Sequence, residues 1–173
     1  MSYILVDIEA DGPIPGDYSM ISIGAVIVDD QLNRTFYGEL KPISHVWIPE
    51  ALAVSGFSRK KTMSFEDPYR VMNNFKTWIQ SNSKGKPIFI SDNNGFDWMF
   101  VCWYFHHFLQ ENPFGYSSRR LADLFCGVQK DVHAKWKHLR KTKHTHNPVD
   151  DATGNAEILL MLRDEYGLNI RLT

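Results

Sequence analysis

Tyr3-Ile4-Leu5-Val6-Asp7-Ile8-Glu9 is the stretch that decides the fold. Four mostly apolar residues run into two acids spaced two apart. The run reads as a strand over Tyr3 to Ile8, apolar on both faces, as a central strand covered by helices is. Asp7 and Glu9 then project from one face of it. Acids at the end of a buried strand are costly unless paired or bound to metal. The plain alternative is a strand end entering a polar loop, since Asp11, Gly12 and Pro13 follow. Asp-x-Glu alone does not choose between the two.

Working outward, Met20 to Val28 reads as a second strand and Arg34 to Leu40 as a third. Asp29, Asp30 and Asn33 between them are turn formers, which predicts a hairpin. Helical spacing then takes over. Val71, Phe75, Trp78 and Ile79 share one face of a helix opened by Ser64 and Pro68. Pro87 to Ile90 is a short fourth strand, and Phe96 to Leu109 an aromatic helix. Leu121 to Val128 and Val132 to Lys141 read as shorter helices, and Pro148 to Tyr166 as the last, closed by Gly167. Strands followed by helices around a further strand give an α/β domain, a mixed sheet flanked by helices.

The 173 residues suit one domain, 1–173. With 43% hydrophobic and 13% aromatic residues, the chain is a packed globular domain rather than a disordered one. Two cysteines, Cys102 and Cys126, are too few for a disulfide framework. Cys102, inside an aromatic run, is expected as a buried free thiol. No leader pattern opens the chain, and the longest apolar stretch, Trp98 to Leu109, is too short to span a bilayer. A cytoplasmic, membrane-free protein is expected. The net charge of -1 decides nothing about a nucleic-acid partner, because an acidic metal site would offset basic residues in the sum.

Asp97 falls on the stripe formed with Val101, Tyr104 and Phe108, so its carboxylate faces the core. Its plain role would be to complement the positive helix N-terminus. Asp92 competes with it, but an acid between strand and helix more often caps. Near the C-terminal end, Asn147 is a good N-cap and Pro148 suits the first helical position. Asp150 and Asp151 are favoured in a first turn whatever the function. Helix chemistry does not explain His146, five residues before Asp151. An imidazole there is a natural proton acceptor for water. The other six histidines, His144 among them, read as surface or packing residues.

In this order, the residues resemble the DEDDh exonuclease family, which includes ribonuclease T and the proofreading subunit of bacterial DNA polymerase III. Asp7-Ile8-Glu9-Ala10-Asp11-Gly12 is similar to the first exonuclease motif. Ile21-Ser22-Ile23-Gly24-Ala25-Val26 resembles the family's second strand, and Val54-Ser55-Gly56-Phe57-Ser58 its short loop before the second motif. Asn93 to Asp97 resembles the second motif, and His146 to Ala152 the third. The resemblance implies a ribonuclease H-like fold. It implies Asp7, Glu9, Asp97 and Asp151 as metal ligands, with His146 as base. Ala10 and Asp11 stand where relatives carry threonines lining the terminal nucleotide, and Pro148 replaces an alanine.

The implied activity is 3'-5' exonucleolytic hydrolysis of single strands from their 3' ends, with a slight lean to RNA. Oxygen-only ligands select hard cations, so two ions of Mg2+ or Mn2+ are expected. Asp7 is the expected bridging ligand. Substrate contacts are expected at Ala10, Gly12, Phe57, Asn93 and Trp98, with Phe57 and Trp98 weighed between base stacking and core packing. Lys130, Lys135, Lys137, Arg140, Lys141 and Lys143 lead to His146, either tracking phosphates or lining a solvated helix face. A homodimer fits the resemblance. Two other functions stand beside this one. A binding module without turnover would need no base. A metal phosphoesterase on small nucleotides would not prefer a polymer end.

Overall fold

β1 (Ser2–Ala10) lies at the centre of a five-stranded sheet, with β2 (Met20–Ile27), β3 (Thr35–Glu39), β4 (Pro87–Ser91) and β5 (Ser118–Arg120) in the order β3-β2-β1-β4-β5. The computed structural model describes residues 1–172, so Thr173 lies outside the described residues. β2 pairs antiparallel with β1 and with β3; β4 pairs parallel with β1 and with β5. The sheet is therefore mixed, as the order of elements predicted. The helices are α1 (Pro49–Val54), α2 (Arg59–Thr62), α3 (Pro68–Asn82), α4 (Asn94–Leu109), α5 (Leu121–Gln129) and α6 (Pro148–Asp164). None of them is long and apolar enough to cross a membrane.

Strand alternation divides the core in two. Ile4, Val6, Ile8 and Ala10 face α3 and α4, packing with Phe75, Phe100 and Tyr104. Leu5 faces the other way, with Leu121, Phe125, Ala156 and Leu159 of α5 and α6. By the same alternation Asp7 and Glu9 point to the α6 side. Gly24 is paired with Asp7 across the β1–β2 ladder. A Cβ there would come within 2.3 Å of the Pro148 main chain. The missing side chain lets the first turn of α6 rest directly on β2, beside Asp7, and this close approach brings Asp151 to the strand acids.

Several elements depart from the sequence reading. No helix forms over Val132 to Lys141; the segment is loop, with a 3-10 turn at Lys137–Leu139. Lys130 takes a left-handed φ of 55° and stops α5, and the Asp131 carboxylate accepts the His133 N–H at 2.9 Å. This side-chain turn competes with helix. Only Trp136 of the segment is buried, while Val132 is 81% exposed, so there is no apolar stripe to hold a helix down. β5, α1 and α2 are short and were absent from the sequence reading. Cys102 is half-buried rather than buried, because Phe100, Val101, Tyr104 and Phe105 take the core face of α4.

Candidate active site

Asp7 and Glu9 on β1 and Asp151 on α6 bring one carboxylate oxygen each to within 4.8 Å of one another. They meet at the carboxyl end of β1, where the parallel strand β4 also ends and feeds α4. Asp97, in the first turn of α4, is 2% exposed, and its Oδ2 has no hydrogen-bond partner. Its carboxylate is held by hydrogen bonds from the Ser91 side chain and the Ile8 N–H. Burial raises the Asp7 carboxyl well above the usual carboxylate range, and Asp97, Asp151 and Glu9 push the same way. Burial pushes Glu9 up to about 7, against a pull from His146, and Asp97 up to about 8. Asp97, Asp151 and Glu9 are buried and Asp7 half-buried, and the raised carboxyls of Asp7, Glu9 and Asp97 show charge that the protein itself leaves poorly compensated, which suits a divalent cation. The partnerless Oδ2 of Asp97 could serve as a ligand atom, and an all-oxygen set suits a hard ion.

His146 stands at the mouth. Its ring is 47% exposed, and Nδ1 lies 3.5 Å from Oε1 of Glu9. The residue takes a left-handed φ of 60°. That conformation turns successive main-chain N–H groups of Thr145 and His146 onto the two Asp151 oxygens, at 3.3 and 3.1 Å. Left-handed backbone is uncommon for a residue with a side chain, though His tolerates it better than most.

Two further residues grip Asp151. His144 places Nδ1 2.7 Å from Asp151 Oδ1, and its ring meets His146 edge-on at 4.3 Å. The reading of His144 as an ordinary histidine is therefore corrected. It lies two residues from His146, and alternate residues of an extended segment share a side; that was the available signal. Arg140 has a side chain only 7% exposed, with Nη1 3.7 Å from Asp151 Oδ1. It lies over the Trp136 ring at 5.4 Å and donates to the buried Asn155 side chain. Gly154 makes room, since a Cβ there would come within 3.3 Å of Arg140 Cδ. A glycine inside a helix was the one sequence signal for this packing. Arg140→Ala is expected to lower divalent-metal affinity about 10–100-fold, the usual effect of losing a residue that orients a ligand. Calorimetric titration of Mn2+ into the folded variant checks this; unchanged affinity would leave Arg140 a packing residue only.

Asp92 is no cap; its charge helps raise the Asp97 carboxyl, but it lies outside the group of Asp7, Glu9 and Asp151. It pairs with Lys137 at 2.8 Å, while Asn93 precedes α4 with no side-chain capping bond. Among the expected substrate residues, Ala10 and Gly12 are buried at the end of β1, and the Tyr18 ring covers Gly12, leaving no room for a Cβ. Asn93 is exposed and Phe57 half-buried, edge-on to Phe65 at 4.9 Å. Trp98 faces elsewhere: its ring packs edge-on against Phe89 at 5.0 Å, at the margin of the core. The stacking expectation for it is replaced by packing. Asp11 has no exposed surface; it accepts the Ser19 N–H and pairs with Arg59 at 2.7 Å.

Residues 2–162 match the family described as the Rv2179c-like 3'-5' exoribonuclease domain. The chain belongs to this family. The Rv2179c-like chain is also 36% identical over 173 residues, 92% of its length and 90% of the relative's, to the 3'-5' DNA exonuclease Cap18 of Escherichia coli. Its fold is that of E. coli exonuclease I in a zinc-bound single-stranded DNA complex (TM-score 0.76, 16% identity, 96% of this chain and 41% of that one). Cell-death related nuclease 4 is similar too (TM-score 0.75, 16% identity, 95% and 64%). The chain thus spans about two fifths of exonuclease I. The DEDDh resemblance and the enzyme class, a 3'-5' exonuclease, follow from family and relative together, and the ribonuclease H-like fold from the mixed sheet and its likeness to the solved exonucleases.

Proposed function

We propose that this Rv2179c-like chain hydrolyses the 3'-terminal phosphodiester of single-stranded nucleic acid and releases nucleoside 5'-monophosphates. The observation that carries the reading is the meeting of Asp7, Glu9 and Asp151 within 4.8 Å, with the buried Asp97 close enough to raise the Asp7 carboxyl and its Oδ2 without a hydrogen-bond partner. Asp7, Glu9, Asp97 and Asp151 would hold Mg2+ or Mn2+, and a pair of such ions supplies activation of water and neutralisation of charge on the leaving oxygen.

The chain's own residues do the rest. His146 takes the proton of the attacking water. With Nδ1 turned to Glu9, the accepting atom is Nε2, on the opposite side of the ring. Water oxygen bonds to phosphorus, the bond to O3' breaks, and the released 3'-oxygen gains a proton from solvent. Arg140 and the N–H groups of Thr145 and His146 hold Asp151 in place. Phe57 offers a ring and Asn93 a side chain to the terminal nucleotide, while Ala10 and Gly12, buried at the end of β1, have no surface for it.

His146→Asn is the sharpest test of the base, because Asn adopts left-handed backbone readily and removes only the imidazole. Turnover is expected to fall about 10^2–10^4-fold with little loss of metal affinity. Single-turnover hydrolysis of a labelled strand measures it; wild-type rates would dismiss His146 as the base.

DNA is the sugar type to test first, because the relative that matches over nearly its whole length is named a DNA exonuclease, although the family description says exoribonuclease. Matched RNA and DNA oligonucleotides, digested with Mg2+ and followed by product length, decide between them. Release of internal fragments rather than mononucleotides would overturn the exonuclease reading.

A further inference from the structure

A cleft of about 600 Å3 opens beside Asn93, between the start of α4, the β5–α5 junction and the loop over 130–140. Its lining carries Arg120, Lys135, Lys137 and His138 against one carboxylate, Asp92, with Asp123 just outside it pairing exposed Arg120 at 3.2 Å. The chain as a whole carries a net charge of -1, so this cluster is local. The loop over 130–140, which the sequence leaves open between a phosphate track and a solvated helix face, forms one wall of the cleft.

From this we infer that the cleft binds the phosphodiester backbone of the strand on the 5' side of the scissile bond; the inference rests on the exonuclease reading of the neighbouring acids. Three observations carry it. First, the cleft adjoins the site. Asn93 lines it and precedes the helix that presents Asp97. Trp136 forms part of its lining and also carries the Arg140 side chain that reaches Asp151. Second, its position fits an incoming strand. Phe57 packs against the cluster of Ile21 on β2 with Leu52 and Phe65, and Gly12 follows the end of β1, so both lie at the β1–β2 side of the acids. The cleft lies on the β4–β5 side, across the sheet order. Third, its chemistry suits phosphate and not base recognition. Trp136 is 3% exposed and offers no stacking face. The Lys137 side chain is 71% exposed and held by Asp92 alone among the carboxylates, so it can exchange that partner for a phosphate oxygen.

The test is direct binding with divalent ions chelated, read by fluorescence anisotropy of a labelled single strand long enough to fill both sides. The combined variant Arg120→Ala, Lys135→Ala, Lys137→Ala is expected to bind about 10–100-fold more weakly. Its log–log salt slope should fall by about 2, the contribution of three cations to single-strand binding. A control variant, Lys84→Ala with Lys86→Ala, removes exposed charge at the opposite end of β4 and should bind as wild type. Equal weakening in both variants, or none in the cleft variant, overturns the inference. The two readings fail separately. If wild type degrades strands with Mg2+ while the cleft variant binds normally, only the cleft falls. If wild type binds through the cleft yet cuts nothing, the exonuclease reading falls and the cleft stands.

Discussion

Asp7→Asn should lower the rate of strand hydrolysis by about 10^3-fold or more, equivalent to roughly 4 kcal/mol of barrier. Asp7 is the one acid that feels all three others: Asp97, Asp151 and Glu9 each raise its carboxyl, and Arg140 opposes them weakly. It sits where β1 emerges between the α4 and α6 sides, so any ion held by the set must meet it. Asn keeps the shape and removes the charge. The same change should not destabilise the metal-free protein, because it removes a half-buried carboxylate repelled by three neighbours. An intact or raised melting temperature therefore separates loss of chemistry from loss of fold. Hydrolysis of a labelled oligonucleotide with Mg2+ is the measurement, and wild-type turnover by folded Asp7→Asn would end the proposal.

The second large effect is on stability. Metal-free protein should become less stable as pH rises from about 5 to about 8.5. Glu9 is raised from 4.5 to about 7 and Asp97 from 3.8 to about 8 in the folded chain. Across that window the folded chain binds more protons than the unfolded one, so each step upward in pH favours unfolding. The stabilising share is complete below the unfolded values and lost once pH passes the folded ones. Glu9 alone corresponds to about 3 kcal/mol. For a domain of this size that is a fall of roughly 6–12 °C in melting temperature. Mn2+ should restore stability at pH 8.5 and do little at pH 5, where protons occupy the carboxylates. Glu9→Gln should flatten the curve. A metal-free melting temperature that stays level or climbs over this range would refute the electrostatic account of the site.

Much of the fold and most of the site are local in origin, and so legible in the chain. The apolar run before Asp7 makes a central strand because both its faces are covered. The spacing of Asp7 and Glu9 sends both to one side, because strand side chains alternate. Asn147 and Pro148 open α6 by capping chemistry, which puts Asp151 in a buried first turn. The family resemblance linked these pieces because their order along the chain is distinctive.

Tertiary structure alone decided what depends on close approach. The contact of α6 with β2 at Gly24, and with it the meeting of Asp151 and Asp7, is a matter of a missing Cβ against a neighbouring main chain. Arg140 reads as one more cation in a basic run, yet it is buried between Trp136 and Asn155 and braces a ligand. Trp98 reads equally as a stacking ring or a core ring until Phe89 is placed beside it. The helix expected over Val132 to Lys141 failed because local turn chemistry met no apolar face to oppose it. The sequence by itself determined which side chains bear charge and which way each strand and helix presents them. Packing decided which of those charges lose water together, and that shared desolvation is what raises the Asp7, Glu9 and Asp97 carboxyls above the usual range.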